Sequence, residues 1–187
     1  IMKKYGDSYE NLKEYYHGII SDINELAEAK SNLTKLEKQN TLIQKELVDL
    51  AEKVTEKRRR YKRDFEEKII KELKSIGMNE VIFEIDISSS KSYNIRGVDK
   101  VVFKISFNIG EDLRPLSVVA SGGELSRFSL ALKSLGLYDS DKTMIFDEID
   151  TGISGLASEK IGVKLKEISS KNQTLCITHQ SQIASFA

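Results

Sequence analysis

The feature that most constrains the fold of this chain is a long stretch without glycine or proline, which runs from Gly18 to Gly77. Because glycine and proline interrupt helices, their absence over this distance favours one continuous helix. Apolar residues recur in the stretch at alternating spacings of three and four, the pattern of a coiled-coil seam. The seam positions are Tyr16, Ile19, Ile23, Leu26, Leu33, Leu36, Ile43, Leu47, Leu50, Val54 and Tyr61, and polar residues occupy three further seam positions, Lys30, Asn40 and Lys57. One helix cannot bury such a seam alone, so the pattern predicts a partner helix.

The residues before this stretch indicate a helical hairpin. Gly6 stands where a helix can end, and Asp7 or Ser8 stands where the next helix can be capped. We interpret residues 1–6 as the end of a preceding helix, with the hairpin tip near residue 6. Residues 8–76 would form the returning helix. A simple loop at Gly6 is the alternative.

The hydrophobic spacing changes at Gly77, which divides the chain into an arm (residues 1–76) and a lobe (residues 77–187). Alternating or short apolar runs in the lobe predict strands, and amphipathic runs predict helices. The predicted strands are residues 81–87, 101–107, 143–146 and 173–178, and the predicted helices are residues 125–137 and 155–169. Residues 88–99 are polar and turn-like. Because helices and strands alternate, we expect an α/β lobe with a mainly parallel sheet.

Composition narrows the functional class. Charged residues make up 31% of the chain and are balanced at 29 basic and 29 acidic side chains, so net charge indicates no partner. One cysteine and two histidines exclude a disulfide framework and argue against a structural zinc site. No apolar run is long enough to span a membrane, and the N-terminus does not resemble a signal peptide. We therefore expect a cytoplasmic protein without a membrane partner. The start at Ile1 and the end at Ala187 lead us to expect a piece of a longer protein.

A Ser-Gly-Gly segment precedes the helix predicted at residues 125–137. Ser121 can donate its hydroxyl to a phosphate oxygen, while Gly122 and Gly123 allow backbone amides to approach that oxygen closely. The positive end of the helix points to the same place. Alternatively, Ser121 only caps the helix, and Glu124 three residues later completes a capping box. The segment therefore predicts either a phosphate contact or a helix cap.

Polar residues follow two of the predicted strands. Asp147 and Glu148 come directly after the strand at 143–146, and His179 comes after the strand at 173–178. The carboxyl ends of parallel strands are where ligands bind in open α/β sheets. Asp147 suits Mg²⁺ held through a water, and Glu148 suits a general base that orients a water against a γ-phosphate. His179 is placed to reach the same phosphate, whereas two solvated carboxylates and a structural histidine are the alternative.

One half of a nucleotide site is missing from the sequence. No Gly-x-x-x-x-Gly-Lys-Ser/Thr loop occurs among the 187 residues. The residues therefore predict the second half of an ATP site without the first half.

Three segments together resemble a known family. Residues 120–127 read ASGGELSR, residues 145–155 read IFDEIDTGISG, and residues 176–184 read CITHQSQIA. In this order they resemble the C-terminal half of the RecN family of bacterial DNA repair proteins, relatives of the SMC proteins and, more distantly, of ABC ATPases. The resemblance covers essentially the whole chain. It implies the C-terminal lobe of an ABC/SMC-type ATPase head, preceded by a long antiparallel coiled-coil arm.

The resemblance also implies a role for each candidate site residue. Asp147 matches the Walker B aspartate, Glu148 the catalytic glutamate and His179 the switch histidine that contacts the γ-phosphate. Residues 150–155 take the place of the D-loop, with Ser154 where SMC proteins usually carry an aspartate. The signature motif, which closes over ATP bound to the opposite head, matches Ser121, Gly122, Gly123 and Glu124.

The implied function is an SMC-like ATPase that acts in DNA double-strand break repair at the nucleoid. Its cofactors would be ATP and Mg²⁺. Its partners would be an N-terminal half that carries the phosphate loop, a second copy bound through head engagement, and DNA. One alternative is a non-enzymatic coiled-coil interaction module with a degenerate ATPase lobe. Another is the motor subunit of an ABC transporter, against which the long arm counts.

A basic run near the end of the arm predicts contact with DNA. Because the run covers more than one helical turn, some of its charge must face away from any coiled-coil seam. Such charges bind phosphates without reading the base sequence. The alternative is a solvated helix face balanced by Asp64, Glu66 and Glu67. The basic residues are Lys57, Arg58, Arg59, Arg60, Lys62 and Arg63.

Overall fold

The structure is a computed structural model that describes residues 8–119, 121–137 and 142–187. It divides into two units, Ile1–Lys53 and Val54–Ala187. The long predicted helix is present as helix α1 (Tyr9–Ser75), which contributes to both units. The predicted hairpin tip near residue 6 and the helix before it lie outside the described residues.

Ser8 caps the N-terminus of helix α1. The hydroxyl oxygen of Ser8 accepts a hydrogen bond from the amide of Asn11 at 3.2 Å, as an N-cap residue does. In the first unit, the seam residues Ile23, Leu26 and Leu33 lie exposed on the helix. An exposed apolar stripe of this kind is what a coiled-coil partner covers, and that partner stays a prediction. In the described ranges, no helix combines the length and apolar character that a membrane span requires.

The second unit starts with a β-hairpin rather than two separate strands. Strand β1 (Ile82–Asn94) pairs antiparallel with β2 (Gly97–Ser106), and β3 (Arg114–Pro115) adds to the other edge of β2. Residues 88–99 are therefore strand for most of their length, which corrects the turn-like interpretation. The turn itself is short because the side chain of Asn94 accepts from the amide of Arg96 at 2.7 Å and Gly97 adopts a φ of 99°.

The rest of the second unit alternates helix and strand, as predicted. The elements are helix α2 (Gly122–Ser134), strand β4 (Met144–Phe146), helix α3 (Leu156–Ser169), strand β5 (Thr174–Cys176) and helix α4 (Ser181–Ala184). Strands β4 and β5 are parallel, with α3 as their connection. In the described part of the chain, parallel pairing is confined to these two strands. The longer strands β1 and β2 are antiparallel because a tight turn cannot connect parallel neighbours.

The core of the second unit joins α1, the hairpin and α2. Ile69 and Leu73, in the last turns of α1, are fully buried. The ring of Phe83 on β1 lies 5.7 Å from the ring of Phe103 on β2 and 5.5 Å from that of Phe128 on α2, measured between centroids. Burial of large apolar side chains such as these contributes most of the stability of a folded domain. The core thereby fixes where α2 begins relative to the hairpin.

An ion pair with a buried carboxylate fastens the tip of the hairpin to α1. The Nη1 atom of Arg58 donates to Asp99 at 2.8 Å, and the hydroxyl of Thr55 donates to the same carboxylate at 2.9 Å. The Asp99 side chain is only 2% exposed. Burial by itself raises the pKa of Asp99, but the hydrogen bonds from Arg58 and Thr55 outweigh it and hold the pKa below its ordinary value. The carboxylate is therefore charged at neutral pH.

We expect Asp99→Ala to lower the free energy of unfolding by about 1–2 kcal/mol, because it leaves the donors of Arg58 and Thr55 without their acceptor. Chemical denaturation measures this loss. Because the pKa of Asp99 is lowered on folding, the full loss of stability is expected at pH values above the ordinary pKa of an aspartate carboxyl group. It shrinks as the pH falls through the lowered pKa.

Asp86→Ala is the matched control on the same hairpin. Asp86 pairs with Lys104 at 2.8 Å on the solvent-exposed surface, where ion pairs add little stability. Equal losses in the two variants would contradict a structural role for the Arg58–Asp99 pair.

Candidate functional site

Helix α2 begins at Gly122, and the preceding Ser121 caps it. The Ser121 backbone is extended, and its Oγ atom accepts from the amide of Glu124 at 3.4 Å. The cap that the sequence left open as an alternative is therefore present. A hydroxyl that accepts one bond keeps its own hydrogen to donate, so the cap is compatible with a phosphate contact. Burial raises the pKa of Glu124, against the opposing effect of the nearby Arg127 charge.

The two glycines of α2 allow a close approach to the loop after β4. A side-chain carbon at Gly122 would collide with the carboxylate of Glu148. A Cβ atom at Gly123 would lie 3.0 Å from the carbonyl oxygen of Glu148 and 3.0 Å from the Cβ atom of Thr151. Gly123 is thus required by packing against the backbone of this loop, whereas Gly122 lies against a side chain that can move. The Glu148 carboxylate lies at the positive end of α2, a place that favours negative charge.

Two further side chains of α2 bind the backbone of the same loop. The hydroxyl of Ser126 donates to the carbonyl oxygen of Asp147 at 2.6 Å. Arg127 donates through Nη1 to the carbonyl oxygens of Ile149 at 3.2 Å and Thr151 at 2.8 Å. Arg127 is buried, and burial lowers its pKa. The start of α2 and the loop after β4 therefore form one connected site.

Ser126 and Arg127 are not among the site residues predicted from the sequence. The spacing of these two residues from the glycines is the sequence signal that could identify them. Arg127 follows Gly123 by four residues and therefore lies on the same face of the helix. An arginine on the face that packs against a polar loop is a natural donor to that loop's carbonyl groups.

The residues after β4 have an unusual backbone. Glu148 adopts a φ of 56°, the left-handed region that non-glycine residues rarely occupy. The position of the Glu148 amide is restrained, because the amide donates a hydrogen bond to Oδ1 of Asp147 at 2.9 Å. Both side chains are exposed. Strain of this kind persists only where surrounding contacts hold it, and it is common at functional sites.

A cation at this position would rely mainly on Asp147. In the described part of the chain, no three histidine, cysteine or acidic side chains cluster as metal ligands. Mg²⁺ is commonly held by one or two carboxylates, retained waters and substrate phosphates. A single exposed carboxylate at the end of β4 fits that pattern, so the donor chemistry agrees with the predicted ion.

The parallel strands bring the third candidate residue to the same edge. Phe146 pairs with Cys176, and the amide of Ile177 donates to the carbonyl oxygen of Phe146 at 2.9 Å. The carboxyl ends of β4 and β5 are thus adjacent, as the predicted parallel pairing requires. His179 follows two residues later and is exposed.

Asp150 connects the loops that follow the two strands. Its Oδ2 atom accepts from the hydroxyl of Thr178 at 2.6 Å and from the amide of His179 at 2.7 Å. Burial by itself raises the pKa of Asp150, but these hydrogen bonds outweigh it and lower the pKa below its ordinary value. The charged form is therefore favoured. Ser154, in the same loop as Asp150, is exposed.

The basic run divides into inward-facing and outward-facing residues. Arg58 is committed to the hairpin through Asp99, and its Nη2 atom also donates to the carbonyl oxygen of Arg96 at 2.6 Å. Lys62 lies 3.7 Å from Glu66 and Arg63 lies 2.9 Å from Glu67, both as pairs along the helix. The remaining members, Lys57, Arg59 and Arg60, are exposed.

We expect Gly123→Ala to lower the free energy of unfolding by about 1–3 kcal/mol, because its Cβ atom would press on a packed backbone. The nearest atoms lie 3.0 Å and 3.1 Å from that Cβ position and belong to Glu148, Thr151 and Arg127. Gly18→Ala is the control, because apart from its chain neighbours and the adjoining backbone of α1 no atom lies within 4 Å of its Cβ position. It should stabilise the protein by about 0.5–1 kcal/mol. Thermal unfolding that moves in the same direction for both variants would contradict the packing argument.

The chain has relatives among known proteins. It is similar over its full length to proteins named RecN, at 37% identity over 189 residues in Synechocystis sp. and 39% over 189 residues in Rickettsia felis. The RecN protein of Bacillus subtilis is 36% identical over 203 residues. The chain spans 32%, 34% and 35% of these three relatives, about a third of their length. No known family model matches the chain.

The fold agrees with this similarity. The structure resembles the Smc head domain with a coiled coil and joint from Pyrococcus yayanosii, with a TM-score of 0.55 and 15% identity over 96% of this chain and 33% of that chain. At this identity the similarity is one of fold. It confirms the predicted fold class, a lobe of an SMC-type head that follows a long helix. Along its whole length, the chain corresponds to the C-terminal part of the RecN family of DNA repair proteins.

Proposed function

We propose that this chain supplies the signature motif and the catalytic carboxylates for ATP hydrolysis between two engaged copies of the complete protein. The observation that carries the proposal is the contact between the Glu148 carboxylate and Gly122 at the start of α2. This carboxylate is an anion at the helix end where the sequence predicts a phosphate. The complete protein would use the cycle of ATP binding and hydrolysis in DNA double-strand break repair, in the cytoplasm at the nucleoid.

Each candidate residue has a chemical role in this proposal. Asp147 would hold Mg²⁺ through a water, since its exposed carboxylate keeps lone pairs beyond the one that accepts from the Glu148 amide. When bound, Mg²⁺ neutralises charge on the phosphate oxygens. Glu148 would orient the attacking water and accept its proton. His179, exposed beyond β5, would donate to the γ-phosphate.

Nucleotide held by an opposite copy would compete with Glu148. Within one chain, the Glu148 carboxylate occupies the positive end of α2. Two anions repel each other at such short range, so a phosphate arriving at Ser121 and Gly122 would displace the carboxylate. Engagement of two heads would thus free Glu148 to act on water. The strained backbone of Glu148, with a φ of 56°, supports a residue that changes position.

We expect Glu148→Gln in the complete protein to bind ATP but to hydrolyse it on the order of 10²–10⁴ times more slowly, because the amide cannot accept the proton. Single-turnover hydrolysis measures the rate, and size-exclusion chromatography with ATP should show an increased fraction of dimer.

Glu159→Gln is the matched control, because Glu159 is an exposed acidic residue at the start of α3. It should leave hydrolysis unchanged. Normal turnover in Glu148→Gln would refute the base assignment. Absence of any nucleotide binding by the unmodified complete protein would instead favour the non-enzymatic coiled-coil module.

We propose that the basic run contacts DNA through its outward-facing members, Lys57, Arg59 and Arg60. Arg58 was included among the contacts predicted from the sequence, but its bonds to Asp99 and Arg96 give it a structural role. Lys62 and Arg63 contribute less net charge because Glu66 and Glu67 lie beside them. The supporting observation is the exposure of three cations within about one turn of the same helix.

We expect the triple change Lys57→Gln, Arg59→Gln and Arg60→Gln to weaken binding to duplex DNA and to flatten its salt dependence. Each lost phosphate contact reduces the slope of log affinity against log salt by about 0.9. Fluorescence anisotropy at several salt concentrations measures both quantities. The control neutralises three exposed lysines elsewhere on α1, namely Lys30, Lys35 and Lys38. The same loss of affinity and slope in the control would contradict a local DNA contact.

A further inference from the structure

The short turn after β5 is closed around one carboxylate. Asp150 accepts from the amide of His179 at 2.7 Å and from the hydroxyl of Thr178 at 2.6 Å, both on Oδ2. The oxygen of that hydroxyl in turn accepts from the amide of Gln180 at 3.1 Å. The backbone on each side of the His179 side chain is therefore held, directly or through Thr178, by Asp150.

Asp150 is itself held in place from the other side. The carbonyl groups of its two neighbours, Ile149 and Thr151, both accept from the buried guanidinium of Arg127. Asp150 is only 8% exposed, so it has little freedom to move. Asp150 thus connects the His179 backbone to helix α2 and restrains its position relative to that helix.

A second hydrogen bond links the same two loops. The side-chain amide of Gln180 donates to the carbonyl oxygen of Ile153 at 3.2 Å. The turn that carries His179 is therefore attached to the loop after β4 at two points. Asp150 makes the stronger attachment, because its bonds are short and one partner is ionised. Its lowered pKa agrees with a carboxylate that is charged in this arrangement.

We propose that Asp150 is a positioning residue, which holds His179 in reach of the phosphate through hydrogen bonds to the His179 amide and to Thr178. This inference rests on the proposed function of the site. Asp150 touches neither nucleotide nor metal in this role, because its carboxylate is buried and already occupied by protein donors. The role requires rigidity, since a displacement of about 1 Å in a catalytic group costs on the order of 10²-fold in rate.

The test is a double-mutant cycle on ATP hydrolysis by the complete protein, with kcat and KM measured for Asp150→Ala, His179→Ala and the double variant. We expect Asp150→Ala to lower kcat by about 10- to 100-fold with little change in KM, because misplacement affects the reacting state and not nucleotide binding. In the His179→Ala background, Asp150→Ala should cause less than about a 3-fold further loss, because the group it positions is gone.

Conservative variants separate positioning from folding. Asp150→Asn keeps an oxygen acceptor and should recover most of the lost rate. Thr178→Val keeps the shape of the side chain but removes one donor. It should lower kcat by a smaller factor that also disappears in the His179→Ala background, and Thr178→Ser should restore it. These variants keep the test decisive if Asp150→Ala fails to fold, which thermal unfolding detects.

The outcomes distinguish failure of the positioning role from failure of the proposed role of His179. If His179→Ala alone leaves hydrolysis unchanged, the proposed role of His179 is wrong and the positioning role is wrong with it. If His179→Ala impairs hydrolysis but the Asp150 and Thr178 variants lower kcat by equal factors in both backgrounds, positioning is overturned while the proposed function stands. Non-additive losses, with rescue by Asp150→Asn and Thr178→Ser, support the proposal.

Discussion

The buried guanidinium of Arg127 is the interaction on which the candidate site depends. It binds the carbonyl groups of Ile149 and Thr151 and so fastens the start of α2 to the loop after β4. Taking a cation out of water is unfavourable unless polar groups surround it, and these carbonyl dipoles supply part of that surrounding. Without Arg127 the two carbonyl groups would also lose a donor. The guanidinium thus converts two separate sequence motifs into one site.

The glycines of α2 have two physical reasons to be glycine. Phosphate recognition needs backbone amides that nothing shields, which is how the sequence pattern is interpreted. The structure adds a packing reason for Gly123, which faces the backbone of the loop after β4, while Gly122 lies against the Glu148 carboxylate. The second reason holds within a single chain and needs no nucleotide. It links the proposed signature motif and the proposed catalytic base, although the two would act on different nucleotides.

Local patterns predicted most of the elements but not all of their limits. The helix at Tyr9–Ser75 and the strands β4 and β5 agree with their predicted positions because periodicity and short apolar runs are local properties. The polar residues of segment 88–99, four of them serine, predict a turn-like structure. In the structure this segment is mostly strand, since backbone pairing with β2 at Ser88, Ser89 and Asn94, and not side-chain hydrophobicity, holds it. Arg58 shows the same limit, because only the hairpin packed beside α1 reveals that it binds Asp99.

The sequence by itself determined the long helix, the alternation of helix and strand in the lobe, and the positions of Ser121, Asp147, Glu148 and His179 at element ends. These features follow from residue type and spacing along one segment. Only the tertiary structure decided that Glu148 lies against Gly122, that Arg127 joins α2 to the loop after β4, and that Asp150 holds the turn of His179. Those contacts join residues more than twenty positions apart, and their partners are set by how the core packs the elements together.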